Sequence, residues 1–387
     1  MASVQVRKVF YISGFDPRGA SHYHRLYRTH AAEQGKVNGL SFEVSGRKRL
    51  NEHSQGWEIR SRDAEGHEAR VHMEFLRWDD IVRAQWATGP ARMLADLIYC
   101  IRIYLLSGLI ARFGRASRQQ LIAALYPPVF VLLAVLLALG VGYGVYALAS
   151  LALPSTMTPL AAALGVVGAA AFLKGAWMLG DRAAAFWLLR IYAFSARWAH
   201  GEVPELEQRI DTFASRIARA LHAAEPDDEV LVVAHSVGTM IVVPAITRAL
   251  RELDALPRGR LTLITLGQCI PLISFHPEAV RYREELQALA NDERLLWVDY
   301  TARTDGACFP LLDFVAATGL ETQPGRGPKL LSPRFFKLYE PPRYRRLRRD
   351  WYTMHFLYLM STDLAGDYDF FAITAGPQSL RSRHARA

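Results

Sequence analysis

The chain has 387 residues, 51% of them hydrophobic and 21% charged, which suits one large domain or two ordinary ones and excludes both a disordered chain and a small stapled scaffold. Its 46 Lys plus Arg against 37 Asp plus Glu leave a formal charge of +9, so anionic partners are admissible, although Arg outnumbers Lys 40 to 6, as coding bias alone can produce. Three cysteines, Cys100, Cys269 and Cys308, stand in no CxxC spacing; neither a disulfide framework nor a cysteine zinc site is supported, and a reducing compartment is expected.

In chain order, residues 9–12 (VFYI) read as a buried strand running into the turn-rich SGFDPRG. Residues 71–76 alternate as a second strand after polar turns near 63–66. Residues 93–113 are apolar but broken by Asp96, Arg102 and Arg112, which predicts an amphipathic helix in the headgroup region, with Trp86, Tyr99 and Tyr104 as anchors.

From Gln119 to Leu173 there are 55 consecutive residues without Asp, Glu, Lys, Arg or His. One crossing needs about 20 apolar residues, so two helices are expected, about 125–152 and 158–179, broken at LPSTMTP by Pro154 and Pro159. The stretch begins too far into the chain for a signal peptide. A buried helical pair in a soluble core is the alternative. Arg112, Arg115 and Arg118 precede the first span and Lys174, Arg182 and Arg190 lie at or beyond the end of the second, so the positive-inside rule places both flanking segments in the cytoplasm. The expectation is an integral membrane protein of bacterial inner-membrane type. Gly140, Gly142 and Gly144 let another helix approach closely, and Gly140 to Gly144 is a small-xxx-small spacing; packing on the second span is expected, with self-association as the lesser alternative.

After the hairpin, 186–198 repeats the aromatic-plus-Arg character of the first flank. Residues 203–224 have helical spacing, with Leu206, Ile210, Phe213, Ile217 and Leu221 on one face. A strand at 229–234, a helix at 237–253, a strand at 261–266, a helix at 278–290 and a strand at 295–301 follow. Such alternation means an α/β fold with a mainly parallel sheet flanked by helices. The expected partition is 1–92 and 183–387 as two parts of one α/β domain, 93–118 as an interfacial helix and 119–182 as the inserted hairpin.

The motif that carries chemistry is Ala234-His235-Ser236-Val237-Gly238, where an apolar strand meets a small-x-Ser-x-small turn and then a helix, the pattern of a nucleophile elbow. The residues two before and two after the serine must be small because the turn is tight. The N–H of Val237, at the helix start, can face a developing oxyanion. The alternative is that Ser236 only caps the helix.

At these residues the sequence resembles the α/β-hydrolase family over nearly all of the chain outside the hairpin. The resemblance implies that SGFDPRG is the oxyanion loop, with Ser13 and Gly14 in the positions of the HG motif of lipases and Phe15 giving the second oxyanion N–H. It also implies the chain order nucleophile, acid, histidine. Asp305, just past the strand at 295–301, is then the leading acid, with Asp299 and Asp313 as runners-up. His355 and His384 are the histidines that follow Asp305; His384 lies in a polar tail expected to fray, which favours His355. Ala234 departs from the usual first glycine.

The roles implied are Ser236 as nucleophile, His355 as general base and acid, and Asp305 orienting the imidazole. Gly14, Asp16, Arg18 and His235 are substrate-side or loop candidates. His22, His24 and His30 lack a matched carboxylate, so no metal and no cofactor are expected, and Trp78-Asp79-Asp80 reads as a structural end. Arg343, Arg345, Arg346, Arg348 and Arg349 form a basic run without a nucleic-acid motif; anionic headgroups are its expected partner, against a merely solvated face. The expected function is cleavage of acyl esters of lipid type, drawn from the membrane lipids around it. A non-catalytic docking module with the same fold and an acyltransferase are the alternatives.

Overall fold

A computed structural model describes residues 4–225, 227–253 and 260–384. The chain divides into two units, one of Met1–Trp86, Arg112–Gln120 and Phe194–Ala387 and one of Ala87–Ala111 and Leu121–Ala193.

The first unit is built on a sheet of nine strands: β1 Val6–Ile12, β2 Ser41–Val44, β3 Lys48–Asn51, β4 Ser54–Arg62, β5 Glu68–Leu76, β6 Glu229–His235, β7 Leu261–Leu266, β8 Leu295–Tyr300 and β9 Lys329–Leu331. Their order is β2-β4-β5-β1-β6-β7-β8-β9, with β3 on β4. From β5 to β9 every pairing is parallel, while β2, β3 and β5 pair antiparallel with β4. β6 and β7 are buried almost throughout, as strands covered on both faces are. The five expected strands are β1, β5, β6, β7 and β8; β2, β3, β4 and β9 are additions. β2 and β3 are short and largely exposed, and β4 (SQGWEIRSR) is half polar, so no apolar run marked them.

Two helices of this unit follow their sequence pattern. In Pro204–His222, Leu206, Ile210, Phe213, Ile217 and Leu221 are all buried, the stripe expected of an amphipathic helix on a sheet. Gly238–Arg251 is buried nearly throughout. Leu380–His384 is helical and His384 is 1% exposed, packed near Tyr300 of β8, which corrects the expectation of a frayed tail as far as His384; residues 385–387 lie outside the described residues. Residues 112–120 belong to this unit rather than to the interfacial helix. The Arg112 guanidinium donates to the Phe275 and Thr318 carbonyls and covers the Phe275 ring, and Phe113 packs on Phe275 and Phe309.

The second unit contains the apolar helices. Arg118–Ala152, which starts in the first unit, and Ser155–Arg182 are both long and apolar enough to cross a membrane. Leu132, Leu133, Leu136, Leu148, Leu151, Val166 and Val167 are exposed, as side chains that meet lipid are. The close approach is made at Gly142 and Gly165: a Cβ on Gly142 would lie 3.0 Å from the Gly165 oxygen, and one on Gly165 would lie 2.7 Å from the Gly142 oxygen. Of the three glycines expected to allow a close approach, Gly142 makes it, while a Cβ added at Gly140 or Gly144 would meet open space. The flank at 93–113 is not one helix. Pro90–Cys100 continues through a π-helical stretch, Ile101–Leu106, and then bends by 73° into Leu109–Ala116. Leu94, Ile98 and Leu106 on it are exposed while Met93, Leu97 and Tyr104 are buried, an amphipathic division.

Candidate active site

Register brings the loops together. Ile12 of β1 lies opposite Ala234 of β6, His235 opposite Leu266 of β7, and Leu266 opposite Tyr300 of β8. The segments that leave these strands, 13–19, 236–238, 267–270 and 301–308, therefore share the carboxyl edge of the sheet, where open α/β sheets hold their ligands.

Ser236 has φ +57°, a left-handed conformation that a non-glycine residue adopts only when its surroundings enforce it. They do so here. Its N–H donates to the Leu266 carbonyl at 2.9 Å, and its own carbonyl accepts from the Thr239 N–H at 2.9 Å and from the Thr239 hydroxyl at 2.6 Å. A Cβ on Gly238 would lie 2.5 Å from the Ile12 oxygen, and one on Gly14 would lie 2.7 Å from the Ser236 Cβ. The spacing rule for small residues thus arises from β1 and its loop pressing on the turn. Among the described residues, neither the Phe15 nor the Val237 N–H donates a hydrogen bond, so both are available to an anion.

Asp305 and His355 are brought together. Both are fully buried, and the His355 Nδ1–H donates to the Asp305 oxygens at 2.9 and 3.0 Å. The carboxylate also accepts from the Ala307 N–H at 3.0 Å and the Tyr358 hydroxyl at 3.1 Å. Burial by itself would raise the Asp305 pKa, but the charge and hydrogen bond of His355 hold it below the ordinary carboxylate value. Asp305 is thus ionised at neutral pH.

His355 is tied to the elbow through His235, whose Nε2–H donates to the His355 carbonyl at 2.8 Å and whose ring centre is 4.9 Å from that of His355. A Cβ on Gly267, which has φ +56°, would lie 3.3 Å from His355 Cε1 and 3.1 Å from Asp305 Oδ2. Glycine is required there twice over. His235 is itself wholly buried and its pKa falls to about 3 through burial and the neighbouring His355, so it supports the site from beneath rather than lining it for substrate.

Asp16 and Arg18 pair with each other. Asp16 accepts from the Arg18 backbone N–H, Nε and Nη2 and from the Tyr23 hydroxyl, while the Arg18 guanidinium covers the rings of Tyr352 and Phe356. Phe15 stacks on Trp86 and packs against Trp78 and Phe194, and the Trp78 indole donates to the Ser13 carbonyl at 3.0 Å. The loop is therefore held at both ends of its Gly14-Phe15 step. Asp79 pairs with Arg77 and Arg83 and Asp80 with Arg209, a structural use of that acidic pair. His24 and His30 bond separately to the Ser45 carbonyl and the Ser361 hydroxyl.

The runners-up for the acid are engaged elsewhere. Asp313 caps the helical turn Phe314–Ala317 by accepting from Val315 and Ala316. Asp299 lies inside β8 and accepts from the Thr265 hydroxyl at 2.7 Å. Burial raises its pKa from 3.8 to about 7, partly opposed by the Thr265 and Thr301 hydrogen bonds. An acid whose pKa is raised on folding binds its proton more tightly in the folded state. Its contribution to stability is complete below about pH 4 and is lost as pH rises through 7. Asp299→Asn is therefore expected to stabilise the protein at pH 8 relative to pH 5, by a few kcal/mol at most. Urea unfolding of both proteins at the two pH values checks this, and an Asn effect independent of pH would refute it.

Residues that the sequence did not reveal complete the setting. Tyr358, three positions after His355, links Asp305 to the Ala302 N–H, which donates to its hydroxyl at 2.8 Å. The Cys269 N–H donates to the Thr239 hydroxyl at 3.0 Å, and burial pushes the Cys269 thiol pKa up, so it is no rival thiolate nucleophile. The Gln120 amide donates to the Gly306 and Cys308 carbonyls, and that of Gln119 to the Arg303 carbonyl; both clamp the loop that bears Asp305. Gly267, directly after an apolar strand, was the one such position with a legible signal.

Protein-family models, curated proteins and solved structures were all compared with the chain, and none matches it.

Proposed function

We propose that this chain is a membrane-anchored serine hydrolase of α/β-hydrolase type that cleaves acyl esters of lipid or lipid-like character through an acyl-enzyme. The observation that carries the reading is the buried Asp305–His355 pair, set on the same sheet edge as a serine held at φ +57°. In this reading the Ser236 Oγ attacks the acyl carbonyl carbon while His355 Nε2 takes its proton. The carbonyl oxygen becomes an oxyanion and accepts from the N–H groups of Phe15 and Val237. Collapse expels the alcohol, which takes the proton back from His355. Water, deprotonated by the same imidazole, then releases the acid and restores Ser236. Ionised Asp305 fixes the Nδ1–H tautomer throughout.

The lipid character of the substrate rests on the two apolar helices and on a basic and aromatic surface next to the site. Arg345, Arg346, Arg348 and Arg349 are exposed, and Trp351 and Tyr352, on the helix Trp351–Phe356 that bears His355, are more than a third exposed. Cations beside amphipathic rings suit an anionic headgroup layer. With the positive flanks of the hairpin, this favours a catalytic unit on the cytoplasmic face of a bilayer, and Gly140 and Gly144, where an added Cβ would meet open space, leave a face for a second copy of the hairpin.

The test is fluorophosphonate labelling of the protein in membranes. Labelling of the wild type and its loss in Ser236→Ala supports the reading. A folded wild type that does not label overturns it and favours the docking module.

A further inference from the structure

Away from the elbow, His200, at the end of the helix Ala185–Ala199, comes together with His276 and Glu278, in the segment after β7. One ligand atom from each lies within 4.8 Å of the other two. The His200 and His276 rings stand edge to face, 5.7 Å between centres. His200 Nδ1 lies 2.8 Å from the Ala196 carbonyl. A carbonyl only accepts, so Nδ1 carries the proton and Nε2 of the neutral ring is a lone pair. That lone pair is 3.8 Å from the Glu278 carboxylate. Two imidazoles and a carboxylate grouped in this way are donors that a divalent cation can take.

We propose that His200, His276 and Glu278 bind one Zn²⁺ ion, with water in the fourth position. Two imidazoles and a carboxylate are a zinc donor set, and a histidine whose second nitrogen is pinned by a carbonyl is oriented as metal-bound histidines are. His276 is 1% exposed. The segment that carries it is held in place: Arg283 donates to the carbonyls of Ser274, His276 and Pro277. Zinc bonds of about 2.0–2.1 Å place tetrahedral ligands roughly 3.4 Å apart, a contraction that half-exposed Glu278 allows by rotation. The ion would tie the end of that helix to the segment following Cys269, which supports the elbow through Thr239. This site is independent of the hydrolase reading.

The experiment is calorimetric titration of the untagged, detergent-solubilised full chain with zinc chloride, together with its thermal unfolding with and without the metal. One equivalent is expected to bind and raise the unfolding temperature, and His200→Gln and Glu278→Gln, both at accessible positions, are each expected to weaken binding by about tenfold or more. No uptake of zinc by the wild type, or uptake unchanged in both variants, overturns the proposal. Loss of uptake in His67→Gln instead would also overturn it, by moving the site to the exposed Asp63-Glu65-His67 turn.

Discussion

Asp305→Asn is expected to lower the rate of acyl transfer by about 10⁴-fold while leaving the protein folded. In the wild type the carboxylate only accepts, so the His355 nitrogen facing it must be Nδ1–H and Nε2 is left as the base. An asparagine can turn its NH₂ toward the ring. With its oxygen kept for the Ala307 N–H at the Oδ1 position, its NH₂ takes the Oδ2 position that faces the ring and the Tyr358 hydroxyl, so Nδ1 becomes the acceptor and the proton moves to Nε2. The imidazole then cannot take a proton from Ser236, and the charge that would stabilise its imidazolium is gone. The substitution is nearly isosteric in a fully buried position, so stability should change far less than activity. Turnover of a soluble ester, measured beside urea unfolding of the same preparation, separates the two. A loss below about tenfold in a folded variant would mean that Asp305 does not orient a catalytic histidine.

Arg7→Met is expected to destabilise the sheet unit by about 3–5 kcal/mol, the magnitude for breaking a buried ion pair from one side. Arg7 is wholly buried although it stands near the start of β1. Its guanidinium donates to Glu229, opposite it on β6, at 2.7 and 3.0 Å, and to the carbonyls of Ile373, Gly376 and Gln378. Burial lowers its pKa, and Glu229 opposes this, so the charge is retained. Methionine fills most of the volume but leaves three carbonyls without their donor and Glu229 with only the Leu380 N–H among these partners. The segment 373–380 would lose its fastening to the strands. Equilibrium unfolding in urea measures the effect, and a change below about 1 kcal/mol would show that water replaces the guanidinium without loss.

Features whose physics is local could be read from the order of residues. A charge-free run of 55 residues is apolar whatever surrounds it, so the two long helices were legible with their break. The strands β1, β5, β6, β7 and β8 were legible because a strand covered on both faces or on one must be apolar continuously or in alternation. The small-x-Ser-x-small turn was legible as a pattern between an apolar strand and a helix, although what keeps Gly238 small is the distant pressure of Ile12 and Ser13.

Other features emerge with folding, since they depend on partners far away in the chain. β2, β3, β4 and β9 exist through pairing rather than through apolar content. Gly142, not Gly140 or Gly144, meets the second apolar helix, because helical phase decides which glycine faces inward. His235 and His384 had the look of accessible histidines and are buried. Asp305 was already preferred to Asp299 because it follows the strand end, but its meeting with His355, and the threonine hydroxyl that engages Asp299, depend on the fold. The convergence of His200 with His276 and Glu278 follows the same rule: their types were visible in the chain, and their meeting was not.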